Sequence, residues 1–235
     1  PTKADAKSHR VTLKDGAGKV LADVITGRSN SFLPQSTTGG AYIRLPGDKQ
    51  TWLAKGLIDI GAEPRDWLQR DIVDFPPEQV LRVVTRLPGG ETNAAVPDIS
   101  AAAKPGDFVF ESIPSGRKLK SRFAPRDQAA LLGGFVLNDV RKASAVMLDP
   151  KDAYVSEFDV KGGIHATMWI WRKDGTDWMK LGIDYTGADA NSAEAKKVAE
   201  IKRRTDGWAY IIPAYQADVI SKTMEFMTEP DKPAS

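Results

Sequence analysis

The stretch EFDVKGGIHATMWIWRKDGTDWMKLGIDY, Glu157 to Tyr185, decides the fold class. Its apolar side chains alternate, with Phe158, Val160, Ile164, Ala166, Met168 and Ile170 before the turn and Leu181, Ile183 and Tyr185 after it. A period of two marks a strand with one face turned inward. Between the arms, Lys173-Asp174-Gly175-Thr176 carries the glycine that a tight hairpin connection demands. The segment predicts a long antiparallel hairpin. Trp169 and Trp171 share one strand face while Met168 and Ile170 share the other, so both faces carry apolar bulk and at least one is expected to be covered.

Upstream the same signals recur. Between Val11 and Gly27, the residues Val11, Leu13, Val20, Leu21, Val24 and Ile25 flank Asp15-Gly16-Ala17-Gly18, a second hairpin. After Gly39-Gly40 come Ala41 to Leu45 and Thr51 to Ala54 around Pro46-Gly47-Asp48-Lys49, so this segment alone can build a four-stranded sheet. Pro64 suits the first turn of a helix, and Trp67, Leu68, Ile72 and Val73 give it a short apolar stripe. A third hairpin is predicted from Val80 to Leu87, the turn Pro88-Gly89-Gly90-Glu91 and a return strand toward Val96. Asp107 to Ser112 reads as a further strand, reached by a flexible surface connection at Ala101 to Gly106.

Helices are expected in three more places. Pro125 opens one whose core face is Ala129, Leu132, Phe135 and Val136, at spacings of three and four. Asn191 and Glu194 have the spacing of a capping box for a helix running to about Arg204. A strand, Trp208 to Ile212, follows, and Pro213 then opens a final helix with Ala217, Ile220, Met224 and Met227 along one face. The expectation is an α+β protein of repeated antiparallel hairpin or sheet modules, each packed against helices. The predicted divisions are a polar linker at 1–10, modules at 11–79, 80–150 and 151–229, and a tail at 230–235. Ala-Tyr-Ile occurs at Ala41 to Ile43 and again at Ala209 to Ile211, which suggests that the first and third modules are duplicates with Tyr42 and Tyr210 in equivalent strands.

Composition bounds the rest. A chain of 235 residues with 41% hydrophobic content can bury real cores without metal or disulfide staples. Its 33 basic and 31 acidic residues leave a net charge of +2, too small to argue for a nucleic-acid partner. The absence of cysteine excludes disulfides and thiolate metal sites but does not choose a compartment. The longest apolar run, Ala129 to Leu137, falls short of the roughly 18 to 20 residues of a membrane span. The first methionine is Met147, and residues 1–10 read as a linker that once joined an upstream segment.

Residues that betray enzyme chemistry are sparse. His9 and His165 lie far apart, with no second histidine at metal-ligand spacing, so no metal or cofactor is expected. Asp66, Asp71 and Asp74 surround a tryptophan-bearing helix and could share acid and base work, although capping explains them better. Glu157, Asp159 and Asp184 could meet across the hairpin at a cation, or simply occupy exposed strand positions. No catalytic residue is assigned. The candidates for interaction are aromatic and basic. Trp169, Trp171 and Trp178 belong to the long hairpin, and Trp208, Tyr210 and Tyr215 form a phrase that could line a groove for an apolar chain or sugar. Arg117, Lys118, Lys120 and Arg122 make one basic run, and Lys196, Lys197, Lys202, Arg203 and Arg204 stud one helix. Such runs are solvated faces by default and contacts for phospholipid headgroups or an acidic partner otherwise.

The phrases LKDGAGKVLADVITGRSN, GGAYIRLPGDKQTWLAKG, DWLQRDIVD, LNDVRKAS and DGWAYIIPAYQADVISK together resemble the bacterial domain-of-unknown-function family 4340, in the family's order and from about Val11 to Met227. The resemblance implies a protein held to the inner membrane by one N-terminal helix absent from this chain, with the present region in the periplasm. It also implies a gliding-type ABC transporter as partner, through its permease or auxiliary subunit. The expected function is thus a non-enzymatic scaffold or substrate-handling domain. The alternative is a lipid- or glycan-binding module that uses an aromatic groove.

Overall fold

The computed structural model describes residues 7–33, 37–56, 58, 60–61, 64–69 and 72–231. The fold is mixed α and β, dominated by antiparallel sheet, and the chain divides into two units, Pro1–Asp66 and Trp67–Ser235.

The first unit is a meander of four strands, β1 (His9–Lys14), β2 (Val20–Asn30), β3 (Gly40–Arg44) and β4 (Trp52–Lys55), paired in sequence order. Its first turn is held by the Asp15 carboxylate, which accepts from the backbone N–H of Ala17 and of Lys19 at 3.0 and 2.9 Å. At Gly40 a Cβ would stand 2.8 Å from the carbonyl oxygen of Ala54, so only glycine lets β3 and β4 close at that point. The sheet forms as expected, but several of its large apolar residues stay in water. Leu13 and Trp52 are each 57% exposed and Leu21 is 58% exposed. Among the described residues of this unit only Thr26, Ala41 and the neighbouring Gly39 and Gly40 are buried. Where a helix with an apolar stripe was expected after Pro64, a single 3-10 turn, Pro64–Trp67, is found. Trp67 is exposed, whereas Ile72 and Val73 belong to the core of the second unit.

The second unit is built on eight strands: β5 (Val80–Arg86), β6 (Thr92–Pro97), β7 (Phe108–Phe110), β9 (Asp139–Lys142), β10 (Tyr154–Val160), β11 (Ile164–Lys173), β12 (Thr176–Tyr185) and β13 (Trp208–Ile211). Their order across the sheet is β7-β6-β5-β10-β11-β12-β13-β9. A separate two-stranded ribbon joins β8 (Arg117–Leu119) to β14 (Thr228–Pro230). Register places Ala95, Val83, Phe158, Ala166 and Ile183 in one cross-strand row, and all five are buried. Against this face pack α1 (Ala124–Ala129), α2 (Ala193–Thr205) and α3 (Ala214–Ile220), with α4 (Met224–Met227) following. The alternation read from the sequence therefore has its physical cause in one helix-covered face.

Several boundaries differ from expectation. The hairpin of 157–185 is two hairpins in succession, because Lys161-Gly162-Gly163 turns the chain between β10 and β11, with φ of 81° at Gly162 and 73° at Gly163. The helix after Pro125 ends early: α1 passes into a 3-10 turn, Ala130–Leu132, and Gly134 takes a φ of 64°. Phe135 is still buried, reached by extended chain and not by helix. Ser192, not Asn191, caps α2 by accepting from the N–H of Ala195 at 3.1 Å. The last helix is split into α3 and α4, since the Thr223 hydroxyl caps a new start at the N–H of Phe226. All four residues assigned to its inner face are buried.

The expected repetition of modules does not describe this arrangement. Strand β5 pairs with β10, so the stretches 80–150 and 151–229 share one sheet. Tyr42 lies in a four-stranded meander beside its sequence neighbours, and Tyr210 lies between β12 and β9 of an eight-stranded sheet. Those strands are not equivalent, and the shared Ala-Tyr-Ile is coincidence.

Candidate functional site

The aromatic candidates separate by strand parity. Trp169, Trp171 and Trp178 alternate with the buried Met168, Ile170 and Met179, so they lie on the sheet face away from the helices. There Trp171 is covered, and its indole N–H donates to the carbonyl oxygen of Asp149 at 2.7 Å. Trp208 and Tyr210 occupy the helix-covered face together with Val140, to which Tyr210 is directly paired. Tyr215 is exposed at the start of α3. One groove containing all six aromatics is excluded, because a sheet separates the two sets.

The basic run is mostly committed to the protein itself. The Arg117 guanidinium donates to the Thr228 hydroxyl at 2.7 Å, to the Thr228 carbonyl at 3.0 Å and to the Glu225 carbonyl at 3.2 Å, tying the ribbon to α4. Lys118 pairs with Glu229 at 3.8 Å, and Lys120 donates to the Phe226 carbonyl at 2.7 Å. Arg122 lies over the ring of Phe123. The hairpin carboxylates are likewise engaged, Glu157 with Arg86 at 2.9 Å, Asp159 with His165 at 3.0 Å and Asp184 with Lys202 at 2.6 Å. Three carboxylates with three separate cationic or imidazole partners do not form a cation cage. Among the described residues no cluster of metal-ligating side chains occurs. Of the other acidic trio, Asp66 and Asp74 are exposed and Asp71 lies outside the described residues.

What the second unit does assemble is a cavity of about 300 Å³ at the β13 and β9 end of its sheet. Val140, Trp208 and Tyr210 share the sheet face that lines it, Leu137 precedes β9, and Leu68 and Ile72 come from the segment before β5. The last turn of α2 brings in Arg204. Local chemistry holds these pieces in place. Lys197 of α2 donates to the Asp74 carbonyl at 3.4 Å and stands 4.1 Å from the Phe75 ring centre. The Gln216 amide of α3, oriented to satisfy both of its ends, donates to the Val136 carbonyl at 2.9 Å and accepts from its N–H at 3.2 Å. Leu137 is fixed beside that clamp.

The lining is apolar apart from Gln69, Arg204 and the polar ends of the two aromatic rings. Burial pushes the Tyr210 hydroxyl up to about 12, so it stays a neutral phenol at physiological pH. The Arg204 terminal nitrogen donates to the Ile72 carbonyl at a long 3.4 Å, while its Nε–H is buried with no acceptor. Sequence reading had singled out Trp208, Tyr210 and Arg204 separately and missed Leu68, Ile72, Leu137 and Val140 as lining. Their apolar character signalled only core, and nothing local in the chain marks four dispersed residues as one wall.

Comparison of the chain with protein families, with curated proteins and with solved structures finds no match. Among the described residues no helix is long and apolar enough to cross a membrane.

Proposed function

We propose that this chain is the periplasmic region of a membrane-anchored, non-enzymatic auxiliary subunit of an ABC transporter. The resemblance of those phrases to family 4340 suggests the setting, and the observation that supports a docking role is the sheet of the first unit. Register puts Val11, Leu13, Val24, Ile43 and Trp52 on one face, and none of these side chains is buried. Leu13 and Trp52 are exposed and the other three half-buried, and apolar surface left open to solvent is what subunits present to partners. The permease or the gliding-type auxiliary subunit is the partner this reading names. Affinity capture of the membrane-anchored protein should recover one of them, and Leu13→Glu with Trp52→Glu should abolish the recovery. Equal recovery by the double variant, or repeated recovery of neither subunit, would sink the reading.

A second reading, a ligand-binding module, is favoured by the cavity beneath Arg204. Its apolar wall suits an acyl chain better than a glycan, whose hydroxyls need polar partners on most sides. Native mass spectrometry of protein isolated from its own host tests this. A copurified lipid-sized mass removed by Trp208→Ala supports it, and a bare protein mass in every preparation counts against it.

A further inference from the structure

Arg204 is the one charged side chain among the described residues that line the cavity, and because its Nε–H is sealed from solvent, contact with a ligand there falls to its terminal nitrogens. A guanidinium is permanently charged and presents a planar fork of donors suited to carboxylate and phosphate. Its single long hydrogen bond, to the Ile72 carbonyl at 3.4 Å, leaves terminal donors for such an anion. Among the described residues, no acidic side chain lines the cavity and Arg204 makes no ion pair. Nearby, the Trp208 indole N–H and the Tyr210 hydroxyl make no hydrogen bond to the described residues, and Trp208 is 37% exposed. The Arg204 guanidinium, Trp208 and Tyr210 thus border a space otherwise walled by Leu68, Ile72, Leu137 and Val140.

We infer that this cavity binds a single-chain organic anion, with its carboxylate or phosphate head on Arg204 and its apolar chain against Leu137, Val140 and the Trp208 ring. The inference rests on the ligand-binding reading above and deepens it by naming the ligand class. Size points the same way. A cavity of about 300 Å³ corresponds to roughly ten waters at about 30 Å³ each, which accommodates one short chain and not the body of a two-chain lipid. An uncharged glycan is disfavoured by the apolar wall, and a cation is disfavoured by Arg204. The anionic head takes the terminal donors of Arg204, so discrimination against a neutral ligand of the same length should follow from that one contact.

The test is titration calorimetry of the purified chain, below the micelle threshold, with decanoate, decyl phosphate, decanol and decyltrimethylammonium. Decanoate or decyl phosphate should bind roughly tenfold or more tighter than decanol, in line with a charge-assisted hydrogen bond, and the cation should not bind. The tighter of the two anions identifies the head group as carboxylate or phosphate. Arg204→Gln should bring the anions down to the level of decanol, and Trp208→Ala should weaken all chains alike. The panel on the unaltered protein decides the matter even if Arg204→Gln fails to fold. Decanol binding as tightly as the anions would overturn the anion assignment while leaving the ligand-binding reading intact. Anion preference unchanged in a folded Arg204→Gln protein would also overturn it. No binding by any of the four would remove both.

Discussion

Both units of this chain start from the same signal, alternating apolar residues around glycine-bearing turns, and they spend it differently. In the second unit the alternation is matched by helices, and Val83, Phe158, Ala166, Met168 and Ile170 have no exposed surface at all. In the first unit the strands pair in a comparable register, yet Leu13, Leu21 and Trp52 remain more than half exposed. Hairpin chemistry is local and forms wherever turn and alternation agree. Burial needs a second layer, and the described residues of the first unit supply no helix to make one. A four-stranded sheet that the described residues of its own unit leave without a helical layer rests chiefly on backbone pairing and cross-strand contacts, which is marginal.

The comparison breaks or survives first on the separated pieces. Residues 67–235 expressed alone should unfold in one cooperative urea transition, whereas residues 1–66 alone should show no dispersed amide spectrum; a folded 1–66 would refute the contrast. Next comes truncation at matched strand positions. Phe158→Ala, at the centre of the large sheet and fully buried, should cost about 3 to 5 kcal/mol, while Leu21→Ala should stay within about 0.5 kcal/mol by denaturant unfolding. Similar losses for the two would mean that the first sheet has a cover in solution.

A smaller effect probes the quality of the larger core. Asn93, Thr85 and Ser156 form a buried polar row across β6, β5 and β10, in which Thr85 and Ser156 share a hydrogen bond of 2.9 Å. Both amide atoms of Asn93 lack a partner. Asn93→Leu should therefore be neutral or stabilising by about 1 kcal/mol, since it removes unsatisfied polar atoms at nearly constant volume. A loss of stability would show that Asn93 meets a buried water.

The smallest effect compares one ion pair from each unit. Arg10 grips Asp23 at 2.9 and 2.6 Å, and Arg82 grips Glu111 at 2.7 and 2.9 Å. Hydrogen bonding from the arginine holds each carboxyl below its ordinary value. A lowered carboxyl binds its proton less readily in the folded state, so its contribution is present above the unfolded value and is lost as pH falls through the folded one. Asp23→Asn and Glu111→Gln should each flatten only the acid limb of the stability profile of their own unit, weakly, because both pairs are exposed. The small loss should be larger at neutral than at acid pH, and an effect at acid pH as large as that at neutral pH would contradict the assignment.

Sequence alone determined the pairing units: the hairpins around Asp15-Gly16-Ala17-Gly18, Pro46-Gly47-Asp48-Lys49, Pro88-Gly89-Gly90-Glu91 and Lys173-Asp174-Gly175-Thr176, the extent of α2 and the inner face of α3 and α4. Turn glycines, caps and periodicity act within a few residues, so a linear reading finds them. Tertiary structure decided which hairpins join. The pairing of β5 with β10 merged two expected modules, and strand parity sent Trp171 and Tyr210 to opposite faces of one sheet. It also decided that Arg204 of a helix with three basic residues in its last turn lines a cavity, while Lys202 pairs with Asp184. Such outcomes depend on long-range packing and on burial, in which a side chain's role is set by neighbours far along the chain, and no local pattern of residues encodes it.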